Sequence, residues 1–274
     1  MPRRRFSAAF VALACALPVP AFAATCGDDA SGFDAWLPAF QRDAAAKGVS
    51  QRALGAMAGV TYSDQVISLD RRQGHFSKSF EEFGLPRIQQ RIAKARTMMR
   101  THAGTLARIE QQFGVPGAVL IAIWGLETDF GVNMGKQPAL RALATLAYDC
   151  RRSERFTAEL IDALKIIDRG DLSPAEMNGA WAGELGQTQF LPSSYIKFAV
   201  DFDGNGRRDL IRSVPDVLAS TANYLKGYGW QRGQPWTEGT QNFVVLAGWN
   251  KAAVYQKTIA LFASRLAEPR HADR

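Results

Sequence analysis

Residues Ala118 to Leu126 read Ala-Val-Leu-Ile-Ala-Ile-Trp-Gly-Leu, an unbroken apolar run. Water does not tolerate such a run, so it has to be buried. It follows Gly114-Val115-Pro116, where glycine stops one helix and proline, tolerated at a first helical turn, starts the next. The run ends in Glu127-Thr128-Asp129-Phe130-Gly131. Whatever the chain folds into must bury this segment and accommodate a carboxyl group at its end.

A carboxyl group among apolar side chains has its charged form disfavoured. It then keeps its proton long enough to act as a general acid on a glycosidic oxygen, which is one way environment equips a glutamate for glycoside cleavage. A glutamate at a helix end is ordinarily a solvated group, so Glu127 needs further context before it counts as catalytic.

The rest of the chain also reads as helical. Gly32 to Gly48 and Gln51 to Gly59 are short helices, and Phe80 to Phe113 is a long basic stretch with apolar residues three and four apart. Leu140 to Ala147, Glu154 to Asp168, Pro192 to Ala199, Asp216 to Tyr228 and Lys251 to Leu266 follow, while Gly229 to Thr240 is a surface loop. No alternating strand run, repeat or low-complexity linker stands out. The expected class is mainly α, an α+β fold with a small β element.

Arg3, Arg4 and Arg5 precede an apolar stretch from Phe6 to Val19 and then Ala21-Phe22-Ala23, the pattern of a signal peptide over residues 1–23. The stretch is short and broken by Pro18, so no stable membrane span is expected. The formal charge of +7 falls to +4 without those three arginines. That suits an anionic polymer without selecting one. About 250 residues remain, and 47% hydrophobic content supports a folded chain. Cys15 belongs to the leader, which leaves Cys26 and Cys150 as an even pair in an oxidising compartment; a disulfide is the expectation, and two free thiols the alternative.

The second informative segment runs from Gly179 to Tyr195, Gly-Ala-Trp-Ala-Gly-Glu-Leu-Gly-Gln-Thr-Gln-Phe-Leu-Pro-Ser-Ser-Tyr. Its glycines allow close approach to a bound sugar, and Gln189 offers an amide suited to an acetamido group. A tight structural turn before a helix would look the same. Taken with Glu127-Thr128-Asp129-Phe130-Gly131, however, the segment resembles the lytic transglycosylase B family of glycoside hydrolases, with its lysozyme-like core. The likeness runs from about Phe113 to Leu266 and includes Met134-Gly135-Lys136, Leu143-Ala144-Thr145-Leu146, Ala222-Asn223-Tyr224 and Trp249-Asn250-Lys251-Ala252-Ala253-Val254-Tyr255.

The resemblance implies that Glu127 is the catalytic acid and base, and that Gln189, Tyr224, Asn250 and Tyr255 line the groove. It implies cleavage of the MurNAc–GlcNAc bond of peptidoglycan with a 1,6-anhydro product, in the periplasm, with no nucleic-acid partner and with envelope complexes as candidate associates. The implied organisation is a helical region over 24–112 packing on a catalytic region over 113–274. Ala180 stands where many members have serine, Trp249 where tyrosine occurs, and the segment between Tyr224 and Asn250 is short. A compact member with a more open groove is expected.

Asp201-Phe202-Asp203-Gly204-Asn205-Gly206-Arg207-Arg208-Asp209 repeats the opening of a calcium loop, with oxygens at positions 1, 3 and 5, glycine at 6 and aspartate at 9. Position 12 is Arg212 rather than glutamate, and Asp216 is the candidate replacement. An ion-free Asx turn is the alternative. The expected ligand set is Asp201, Asp203, Asn205, Arg207, Asp209 and Asp216, and the resemblance favours one structural calcium ion and no organic cofactor.

Trp249 is the leading sugar-stacking candidate, then Trp181, with Trp36 and Trp124 in the core. His75, His102 and His271 have no paired metal-ligand spacing, and no Gly-x-Ser-x-Gly or phosphate loop occurs, which argues against zinc, serine and nucleotide chemistries. Two rivals remain: a hydrolytic muramidase using Asp129 or Glu184 to activate water, and a silent peptidoglycan-binding scaffold.

Overall fold

The computed structural model describes residues 25–73 and 78–268. The leader expected over 1–23, with Cys15, and His75 and His271 lie outside these residues. The centre of the fold is α6 (Gly117–Thr128), in which every residue from Gly117 to Gly125 is buried. A helix apolar on all sides must be surrounded, and α6 is packed by α4 (Phe80–Thr101), α5 (Ala103–Phe113), α10 (Val214–Gly227) and α12 (Ala253–Ala267). Burying Val119, Leu120, Ile121, Ile123 and Trp124 contributes on the order of 10 kcal/mol against the unfolded chain.

The other elements are α1 (Phe33–Ala46), α2 (Gln51–Leu54), α3 (Asp64–Arg71), α7 (Ala139–Tyr148), α8 (Ser153–Asp168), α9 (Pro192–Phe198) and α11 (Gln241–Trp249). Two two-residue strands, β1 (Gln137–Pro138) and β2 (Asn178–Gly179), pair antiparallel with Gln137 opposite Gly179. The mainly helical class is as expected. The long stretch from Phe80 to Phe113 divides into α4 and α5 at His102. Both pack directly on α6, so residues before 113 help to enclose it.

Two helices were not legible. In α3 only Val66 and Asp70 are buried, too little for a period to show, although Ser63 caps it by accepting the Val66 N–H. In α11 the Phe243-Val244-Val245 run masks the helical pattern, and Thr240 supplies the cap.

The N-terminal elements dock on α7 through an aromatic cluster of Phe33, Trp36, Phe40, Tyr62 and Tyr148, and on α8 through α2. Cys26 and Cys150 form the disulfide, closing a loop with a sequence separation of 124. In the chain-entropy view such a loop stabilises the fold by about 5 kcal/mol. Next to it the buried Asp70 pairs with Arg71, Arg151 and Arg152, and Arg71 also binds Asp149 at 2.6 Å. Among the described residues no single helix is long and apolar enough to cross a membrane.

Candidate active site

Glu127 lies in the last turn of α6, where the apolar core meets a cleft of about 330 Å³. The cleft is lined by Glu127, Glu184, Gln189, Tyr224, Trp249 and Asn250, together with Ala180, Thr188, Ser194 and neighbouring apolar residues. One carboxyl oxygen, Oε1, accepts the indole N–H of Trp249 at 2.8 Å and the phenol O–H of Tyr255 at 2.7 Å. The other, Oε2, has no hydrogen-bond partner among the described residues.

Burial is the main reason that the Glu127 pKa is raised, with the Glu184 charge adding to it; the two donors pull the other way without prevailing. Tyr255 is itself pushed well above the ordinary tyrosine range by burial and by the Glu127 charge, so it remains a donor. Tyr255 is not among the residues lining the cleft and reaches it through Glu127. Trp249 aims its N–H at the same oxygen while its ring meets Tyr224 and Phe190 edge-on.

The backbone around the site is unusual. Asp129, Phe130 and Gln189 are the only non-glycine residues with positive φ among those described, at 54°, 61° and 56°. For a bulky residue such as Phe130 this is strained, and strain of this kind collects at functional sites. The turn from Gly179 to Phe190 is bound to α6 through Gln187, whose Oε1 accepts the Trp124 indole N–H at 2.8 Å and whose carbonyl accepts the Thr128 hydroxyl. Gly131, at φ 82°, is required because a Cβ there would lie 2.4 Å from the Gln187 Oε1. A Cβ at Gly179 would meet the Glu184 carbonyl at 1.7 Å.

The remaining expected residues are placed as follows. Gln189 donates its Nε2 to the carbonyls of Met134 and Gly186, so only its Oε1 is left for a ligand. Tyr224 gives its hydroxyl to the Gly248 carbonyl and stacks on Tyr228. Asn250 accepts the Ala252 N–H with Oδ1. Asp129 is held by Arg91 at 2.8 Å and does not line the cleft. Trp36 and Trp124 are core residues, and Trp181 packs against the core outside the cleft. Thr188 and Ser194 are cleft hydroxyls that the sequence did not single out.

In the acidic loop three of the expected carboxylates come together. Carboxylate oxygens of Asp201, Asp203 and Asp216 lie within 4.8 Å of one another. Asp216 is fully buried and accepts the N–H groups of Phe202, Asp203 and Asp209. Asp209 is outside this group, and Arg212, the residue standing in place of the loop glutamate, binds its Oδ2 at 2.8 Å. The Asn205 Oδ1 accepts the Arg207 N–H, and the Arg207 side chain turns to Asp171 and Glu176.

A helical core that ends its most buried helix in a hydrogen-bonded glutamate, at the wall of a polar cleft, defines the lysozyme-like class. Residues 32–240 match the family described as the transglycosylase SLT domain, and the chain belongs to that family. Over 129 residues, 47% of the chain, it is 43% identical to the membrane-bound lytic murein transglycosylase B of Escherichia coli strain K12; that alignment covers 36% of the relative, so the chain matches about a third of its length. SltB3 from Pseudomonas aeruginosa, solved with NAG-anhNAM-pentapeptide, is similar at a TM-score of 0.81 and 30% identity, covering 86% of this chain and 80% of that one. The Escherichia coli lytic transglycosylase Slt35, solved with calcium, shares the fold at a TM-score of 0.74 and 24% identity, over 89% and 96% of the two chains.

The raised pKa of Glu127 has a consequence for stability. A carboxyl group that holds its proton more tightly when folded contributes stability below the ordinary carboxylate range and loses it as pH rises through the raised value. Glu127→Gln keeps an oxygen for Trp249 and Tyr255 and removes the buried charge. Its melting temperature should exceed that of the wild type at neutral pH, with the gap closing as pH falls through the raised value and gone below about 4.3. A gap that instead widens on acidification contradicts the burial argument.

Proposed function

We propose that this protein is a peptidoglycan lytic transglycosylase that cleaves the MurNAc–GlcNAc β-1,4 bond and closes a 1,6-anhydroMurNAc end. The observation that supports this most strongly is Glu127: a carboxyl group with a raised pKa, fixed at Oε1 by two neutral donors, with Oε2 free of protein partners. Protonated Glu127 gives its proton to the glycosidic oxygen as the C1–O bond breaks. The substrate's 2-acetamido oxygen bonds to C1, and the Gln189 Oε1 accepts the acetamido N–H. Glu127, now a base, takes the proton of the MurNAc 6-hydroxyl, whose oxygen displaces the acetamido oxygen at C1. The carboxyl group regains its proton and no water is consumed.

A hydrolytic muramidase is the second reading, because Glu184 also lines the cleft and its pKa is also raised by burial. The pairing of Asp129 with Arg91 disfavours it as the alternative base. A silent scaffold has no use for the cost of burying Glu127. Digestion of purified peptidoglycan followed by mass spectrometry distinguishes these readings. The expected products are GlcNAc–anhydroMurNAc muropeptides, lost by at least 100-fold in a folded Glu127→Gln variant, on the order of a general acid's contribution. Reducing MurNAc ends formed by the wild type would support the hydrolase, and near-normal release by Glu127→Gln would remove Glu127 from the chemistry.

The signal-peptide pattern supports action on the periplasmic side, with glycan strands as the partner. We also propose that Asp201, Asp203 and Asp216 hold a structural calcium ion. Three gathered carboxylates in a loop with glycines at 204 and 206 fit a hard cation, whose charge would offset their repulsion. The expected outcome is a melting temperature that rises with calcium, falls with chelator and no longer responds in Asp201→Ala plus Asp203→Ala. An unchanged wild-type melting curve would favour a self-sufficient Asx turn.

A further inference from the structure

Glu184 is a cleft carboxylate that the proposed reaction does not use. Its backbone is held firmly: the Glu184 carbonyl accepts the Ala180 N–H, Gly183 donates to the Ala180 carbonyl, and Leu185 and Phe190 exchange N–H and carbonyl bonds at 2.7 and 2.9 Å. The Glu184 Oε2 accepts the Ala182 N–H at 3.2 Å, and the residue's own backbone N–H is the carboxyl group's other protein donor. No described cation lies within ion-pair distance; Arg155 acts on it only through space, and the nearby Glu159 is taken up by the Ser193 N–H and hydroxyl.

The cleft lining thus contains two carboxyl groups, Glu127 and Glu184, and no lysine, arginine or histidine. A desolvated carboxylate without a cation is costly, and removing it would ordinarily stabilise the fold. A donor carried by a ligand would offset that cost. The Gln189 Oε1 adds a third acceptor in the same cleft, so the lining favours ligands rich in donors. A neutral sugar N–H or O–H satisfies Glu184, but an ammonium does so with a charge-assisted bond about twice as strong.

We propose that Glu184 is a specificity-determining residue that lets the cleft bind a cationic sugar, a de-N-acetylated glucosaminyl unit bearing an ammonium, in addition to the N-acetylated glycan. This rests on the cleft being the glycan site proposed above.

The test is titration calorimetry over a series from mildly acidic to neutral pH, so that both the amine and the carboxyl group are sampled in their charged forms, of the wild type and Glu184→Gln with a glucosamine tetramer and an N-acetylglucosamine tetramer. Muropeptide release from peptidoglycan is measured alongside. Glu184→Gln should fold, since it removes a buried charge, and Glu184→Asp should keep part of the effect. The expected result is a loss of about tenfold or more for the glucosamine tetramer on Glu184→Gln, the range of one charge-assisted bond, with less than about threefold for the N-acetylated tetramer. Failure of the wild type to bind the glucosamine tetramer, or equal loss for both ligands, overturns the proposal. If the wild type discriminates in this way yet forms no anhydro ends, the transglycosylase reading fails and the Glu184 assignment stands.

Discussion

The Glu127 Oε1 is shared by an indole N–H and a phenol O–H, and much of the structure depends on that three-way contact. Glu127 ends α6, Trp249 ends α11 and Tyr255 lies in the first turns of α12, so one carboxyl oxygen joins segments 122 and 128 residues apart. Neither donor carries a charge. A lysine or arginine in their place would hold the carboxyl group ionised, whereas neutral donors fix its position and leave burial to decide its protonation. The same apolar helix that drives folding therefore supplies the environment for an acid.

The second wall of the cleft is fixed differently. Gln187 is buried and has both ends of its amide occupied, by the Trp124 N–H and by the Ile211 carbonyl. This binds the Gly-Gln turn to α6 on one side and to the acidic loop on the other, since the Gln187 N–H also donates to the Leu210 carbonyl. The loop around Asp201, Asp203 and Asp216 is thereby coupled through Leu210 and Ile211 to the residues that present Gln189. An ion that stiffens the loop would support the cleft without touching the glycan.

The sequence made some of this legible because it depends on local chemistry. The all-apolar run of α6, Glu127 at its end, the cysteine pair and the long amphipathic helices are signals contained within one segment. The rest depends on which partners the fold brings to each side chain. Tyr255 and Trp249 were expected at the groove, but their shared hydrogen bonds to the Glu127 Oε1 were not legible. Asp209 fits the calcium spacing, yet Arg212 three residues later captures it. The α3 and α11 helices are short, and their caps were the only local sign of them.

The most direct test is a carbon-13 NMR titration of the Glu127 carboxyl group, assigned by its loss in Glu127→Gln. If burial outweighs the Trp249 and Tyr255 donors, the resonance titrates clearly above the ordinary glutamate value of about 4.3. A titration at or below that value would mean that the donors hold Glu127 ionised, and it could not then serve as the acid that begins glycan cleavage.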